Sequence, residues 1–141
     1  MKKYFILTLL SLLSSGLFAQ DNQNEKPKQQ FIFIIRSKTD YTSFPADSIQ
    51  KNIKHWEAYM GGLARTGKIA GGYRPGNEGE TISAPGKDIK KGLYSANGEV
   101  VSSFLIINAT DLAEANDIAK RCPVFELGGN IEIRPIMNTA R

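Results

Sequence analysis

One cysteine, one histidine and one tryptophan occur in 141 residues, and each scarcity closes off a class of chemistry. With Cys122 alone, no intramolecular disulfide can form and no multi-cysteine metal site can be built. His55 cannot hold a metal ion unaided, because such sites need several ligands, so no metal and no cofactor are expected. No GxxxxGK[ST] or GxGxxG pattern opens a helix. The glycines Gly76, Gly79, Gly86, Gly92 and Gly98 therefore read as turn formers and not as a phosphate cradle. A dominant charge is missing too. Setting aside Lys2 and Lys3 leaves 16 basic against 14 acidic residues, a balance of +2. The lysines are dispersed, apart from the pair Lys90-Lys91, and form no basic stripe interleaved with aromatics, which argues against a nucleic-acid partner. No internal repeat is visible.

The longest apolar run, Tyr4 to Leu13, follows Lys2 and Lys3 and gives way to small residues that end at Ala19. This is the build of a cleaved secretory signal peptide over residues 1–19. The stretch is interrupted by Ser11, Ser14 and Ser15 and falls short of the roughly 20 apolar residues that span a bilayer, so no stable membrane anchor is expected. No cysteine near Ala19 can accept a lipid. The expectation is export to a bacterial periplasm or the extracellular space. Residues 20–30 are polar and aperiodic, the composition of a disordered linker. Residues 31–141 suffice for one domain with one core.

Phe31 to Arg36 is apolar at every position but the last, as in a strand covered on both faces. Pro45 and Asp47 suit a first helical turn, and Ile49, Ile53, Trp56, Met60 and Leu63 follow at helical spacing. Gly67 lies past the helix end, and a strand is expected over Lys68 to Gly72. The Gly-rich stretch Tyr73 to Asn97 reads as an irregular hairpin, with β-compatible pieces at Thr81-Ile82 and Ile89. Leu105 to Ile107 forms the next strand. Asp111 and Glu114 have the spacing of a helix N-cap and its third residue, and Leu112, Ala115, Ile118, Ala119 and Cys122 line one face until Pro123 stops the helix. Cys122 on that apolar face reads as a packing thiol. Gly128 and Gly129 turn the chain into Asn130 to Ile136, where Ile131 and Ile133 alternate with Glu132 and Arg134.

The order strand, helix, strand, hairpin, strand, helix, strand predicts an α+β fold: a ferredoxin-like split βαβ sheet with both helices on one face. The other face stays apolar enough to need a cover. A symmetric homodimer that stacks two sheets would supply it and enclose a small-molecule pocket.

Over Phe31 to Met137 the chain resembles the YCII-related family, in particular its DGPF-domain branch. The resemblance rests on Asp111-Leu112-Ala113-Glu114-Ala115, Ile118 to Pro123, Gly128-Gly129 and Ile131 to Ile136, with a second segment from Trp56 to Gly72. It implies a dimeric α+β barrel, and a His-Asp pair as acid/base groups in its pocket. The family histidine position falls on Trp56, with His55 one residue away, and the DGPF aspartate position falls on Lys91.

The candidate site residues follow from chemistry. His55, roughly 120° from the helix stripe at about 100° per residue, is the one side chain able to serve as an acid/base near neutral pH. Tyr59 lies one turn further on, and Trp56 reads as a core or dimer anchor. Arg36 shares a strand face with Ile32 and Ile34 and needs an acceptor, which Glu132 or a ligand anion can provide, with Arg134 beside it. Ligand binding is thus expected at Arg36, Tyr59, Trp56, Glu132 and Arg134. Three functions stand open: a small-molecule-binding dimer, a cofactor-free enzyme using His55, and a structural or interaction module.

Overall fold

The computed structural model describes residues 28–137, so the expected signal peptide and most of the expected linker lie outside the described residues. Within them, β1 (Gln29–Lys38) takes in Gln29 and Gln30, two residues whose polarity suggested linker. They are held by backbone pairing with Ala109 and Asn108, which polarity does not report. From β1 the chain forms α1 (Ala46–Arg65) and β2 (Ile69–Tyr73). A small hairpin of β3 (Glu80–Ser83) and β4 (Asp88–Lys91) follows, then the two-residue β5 (Ser95–Ala96). The chain continues through β6 (Glu99–Ala109), α2 (Leu112–Ala119), a short 3-10 helix (Pro123–Leu127) and β7 (Asn130–Pro135).

The main sheet is antiparallel, in the order β2-β6-β1-β7, with β5 added to the outer end of β6. Two interleaved strand-helix-strand units with the first strand inside the sheet make this the ferredoxin-like α+β arrangement. The sheet of the single chain is open, not a closed barrel.

Alternation along the strands decides what is core. Phe31, Phe33 and Ile35 of β1 stand opposite Ile107, Leu105 and Ser103 of β6, and they join Ala115, Ile118 and Ala119 of α2 and Leu63 of α1 in one buried cluster. Both helices thus cover the same face. The even positions of β1, Ile32, Ile34 and Arg36, point the other way and are only half-buried. The apolar run that suggested a strand covered twice is covered once among the described residues.

Two helix faces differ from the spacing-based reading. On α1 the buried positions are Asn52 and Leu63, with Trp56, Tyr59 and Met60 packed against the core, whereas Ile53 is 47% exposed. Asn52 takes the inner place because its amide meets the buried Pro123 carbonyl as well as Glu126, and spacing alone cannot foresee that. On α2, Leu112 is exposed and the helix ends at Ala119. Cys122 sits just before the 3-10 helix, still buried. The N-terminus of α2 is as expected: Asp111 Oδ1 accepts from the Glu114 N–H at 2.9 Å, and Glu114 Oε2 accepts from the Thr110 N–H at 2.7 Å.

Gly128 and Gly129 set the entry into β7. Gly128 has φ +72°, and a Cβ on Gly129 would stand 2.4 Å from the Arg36 carbonyl oxygen and 2.5 Å from Val124 Cγ2. This close approach anchors the 3-10 helix against the outer end of β1, where the candidate side chains lie.

Candidate functional site

The open sheet face has an apolar floor and a charged end. Strand register places Ile32 beside Ile106, Ile34 beside Phe104, and Arg36 beside Val101, with Tyr73 of β2 next to Phe104. Along the β7 side the same face carries Arg134, Glu132 and Asn130, opposite Ile32, Ile34 and Arg36. The charges are organised among themselves. Arg36 Nη2 donates to Glu132 Oε2 at 2.9 Å, and Arg134 Nε donates to Glu132 Oε1 at 2.6 Å. Bonds from Arg134 first, and Arg36 second, hold the Glu132 carboxyl below the usual range. One turn of the pleat further, Lys38 Nζ donates to Glu99 Oε1 at 2.8 Å and Asn130 Nδ2 donates to Glu99 Oε2, so that Glu99 is also held low, chiefly by Lys38.

Only part of the Arg36 fork is occupied. One donor meets Glu132, and among the described residues no other protein acceptor bonds it. A half-buried guanidinium at the rim of an apolar floor, with donors to spare, suits a carboxylate, phosphate or polarised carbonyl.

His55 lies elsewhere. It projects from the flank of α1, 43% exposed in its side chain, and its Nδ1 stands 2.8 Å from Glu126 Oε1 on the 3-10 helix. Asn52 Nδ2 donates to Glu126 Oε2 at 2.9 Å and to the Pro123 carbonyl at 2.6 Å. These contacts, with that from Asn52 the larger, hold the Glu126 carboxyl below its ordinary value. An ionised carboxylate only accepts, so the Nδ1 of His55 is the donor in this contact. Sequence reading missed Glu126, the partner of His55, and Asn52, which donates to that same carboxylate. Glu126 lies 71 residues away in a segment without periodicity, and Asn52 one turn before His55 looked like an ordinary polar position.

Tyr59 and Trp56 turn inward. Their rings meet edge to face with centroids 6.0 Å apart, and the Tyr59 hydroxyl donates to the Ile118 carbonyl at 3.2 Å. Burial pushes the phenol well above its ordinary value. The six candidate residues therefore fall into three places: Arg36, Glu132 and Arg134 on the open face; Trp56 and Tyr59 against the core; His55 with Glu126 on the outer flank of the helical layer. His55 and Arg36 are on opposite sides of the sheet. Among the described residues no three His, Cys, Asp or Glu side chains gather as a metal site, and no helix is long and apolar enough to cross a membrane.

Residues 30–140 match the YCII-related domain, which is most of the chain. The chain belongs to the YCII-related family. No curated protein matches it. The two positions that the family resemblance assigns to an acid/base pair do not converge here. Trp56 packs on the core, and Lys91 stands in β4, opposite Glu80 in the detached hairpin.

Proposed function

We propose that this YCII-related protein is an exported homodimer that stacks two open sheet faces and binds a small anionic or carbonyl-bearing molecule between them. The observation that supports this most is the open face itself. Ile32, Ile34, Phe104 and Ile106 form an apolar floor that neither helix covers, and Arg36 stands at its end with unused donors. Stacking two such faces buries the floor and lowers the dielectric around Arg36, which strengthens its hold on an anion. Residues 1–19 would direct export, and an intact mass lacking 19 or 20 residues from the native host is the expected result.

Light scattering should report twice the chain mass, and Ile34→Asp should give a folded monomer, because Ile34 is half-buried in the single chain. Anilinonaphthalene sulfonate, an aromatic anion, is a suitable probe. Arg36→Met should weaken its binding roughly ten- to hundredfold, since a charge-assisted hydrogen bond is lost while volume is kept. A wild-type monomer at micromolar concentration, or equal probe affinity in Arg36→Met, would defeat the reading.

A second reading, an acid/base enzyme, is favoured by the Asn52-Glu126-His55 chain of contacts. A carboxylate that accepts from one imidazole nitrogen, and so leaves the other to take a proton, is what a general base requires. On this reading His55→Gln would lower turnover roughly 10²- to 10⁴-fold with the fold intact. A binding module would tolerate that substitution.

A further inference from the structure

The β3–β4 hairpin stands apart from the main sheet. Its two strands pair with each other and pack against no other strand or helix among the described residues. Their register puts Ile82 opposite Ile89 and Glu80 opposite Lys91 on one face, and the two isoleucines are 62% and 60% exposed. Closed at its root by the Gly92 N–H bond to the Gly79 carbonyl and at its tip by the Gly86 N–H bond to Ser83, it projects for about 20 Å at strand spacing. An isolated two-stranded hairpin in water is marginal at best, and a cross-strand apolar pair left in solvent adds nothing to it.

At the opposite edge of the sheet lies an apolar groove. It holds about 500 Å³ and is lined by Asn116, Ala119, Lys120, Phe125, Ile131 and Ile133, between α2, the 3-10 helix and β7. Phe125 is 46% exposed there. Among the described residues β7 pairs on one side only, with β1. Because the Ile136 N–H bonds the Gln30 carbonyl, alternation points the backbone groups of Ile131 and Ile133 away from β1, toward an added strand. Pro135 limits how far such pairing can run, so a short strand fits better than a long one.

We infer that the β3–β4 hairpin is a dimer arm: it lies along the β7 edge of a second copy, with Ile82 and Ile89 in the groove against Phe125, Ile131 and Ile133. This rests on the homodimer proposed above and deepens it. The arm leaves the sheet directly after Tyr73, which is on the open face beside Phe104, so its contact is continuous with the stacked-sheet interface. Glu80, on the same hairpin face as the isoleucines, comes to Lys120 at the groove wall, a cation that within one chain holds only an exposed surface bond to Asp117 at 2.9 Å. A twofold axis makes the exchange reciprocal, each copy giving one arm and receiving one. Four-residue strands match the short free edge, and the mode is strand addition with side chains filling an adjacent groove.

The test is crosslinking between two variants, Ile82→Cys and Phe125→Cys, each in a Cys122→Ser background, mixed and oxidised. Ile53→Cys, on the exposed flank of α1, replaces the Phe125 variant as control. A disulfide-linked dimer forming at least roughly tenfold faster in the Ile82–Phe125 mixture than with the control would establish the contact. If light scattering shows a dimer and no such excess appears, the arm is wrong while the stacked-sheet dimer stands. If the protein is a monomer, both fall. Ile89→Asp in the otherwise native chain guards against a folding defect from Cys122→Ser. Its side chain is solvent-exposed within one chain, so the thermal transition of the monomer should hold while the dimer dissociation constant rises roughly tenfold. An unchanged dissociation constant would overturn the inference.

Discussion

His55 and Glu126 are 71 residues apart in sequence and 2.8 Å apart in space, and the residue that makes this contact hold is Asn52. Asn52 is 5% exposed and gives its amide to both the Pro123 carbonyl and Glu126. Replacing it by Leu keeps the side-chain branching and removes its bonds to the Pro123 carbonyl and Glu126, at a cost of about 1–3 kcal/mol. Urea unfolding should show the midpoint fall with no change in slope. Because the Asn52 bond is also the main cause of the low Glu126 pKa, the same variant should let that carboxyl titrate nearer its ordinary value, as carbon-detected NMR can read. An unshifted Glu126 would mean that His55 and the charge of Lys51 hold it without Asn52.

Gly129 has no tolerance for a side chain. Its missing Cβ would meet the Arg36 carbonyl and Val124 at once, and neither the strand backbone nor a buried valine in the 3-10 helix can retreat. Gly129→Ala should therefore destabilise by about 1–3 kcal/mol, the usual range for overpacking. The effect should reach the site: in a dimer the anion probe should bind more weakly even at temperatures where the variant is folded, because the end of β1 that carries Arg36 must shift. Gly62→Ala, at a position with nothing within 4 Å, is the control and should leave stability level or slightly raised.

Period and punctuation sufficed for the skeleton. Ile131 and Ile133 alternating with Glu132 and Arg134 put the right pair inward, and the expected Arg36–Glu132 contact follows from adjacent strands with matched faces. What periodicity could not show was a polar side chain used as core. Asn52 displaced the helix stripe toward itself, and Ile53 was left outside. Nor could it show that β6 begins as early as Glu99, because Ser102 and Ser103 interrupt the apolar pattern while Ser37 and Lys38 across the sheet supply polar partners. The His55 partner was illegible for a related reason: the 3-10 helix that presents Glu126 has no repeat from which a face could be read.

Glu114 gives the domain an acid-sensitive joint. Its carboxylate accepts from Lys68 and from both the amide and hydroxyl of Thr110, and these bonds, that from Lys68 foremost, lower its pKa from 4.5 to about 2. A carboxyl whose folded pKa is depressed adds stability in full above its unfolded value and loses it as pH falls through the folded one. The contribution should accordingly disappear between about 4.5 and about 2. Glu114→Gln should be less stable at neutral pH by about 1 kcal/mol, in the range of a lost cap contact, and should show a flatter decline on acidification. Parallel curves for the two proteins across that window would show that Glu114 does not carry the joint between α2 and the start of β2.

Cys122 offers a reporter of opening that needs no added group. The thiol is buried between α2 and the 3-10 helix, and burial, the largest cause, raises its pKa to about 11. At pH 8 few molecules hold a thiolate even if reagent could enter, and only the thiolate reacts with iodoacetamide. Labelling should therefore be slow in the native protein and should rise with urea in step with the loss of helical signal. If Asn52→Leu loosens the Pro123 segment that follows Cys122, labelling of that variant should speed up before global unfolding begins. Fast labelling of the native protein at neutral pH would contradict a packing role, because it would require an accessible thiolate where the structure places a thiol closed in by Ile118, Ala119 and Val124.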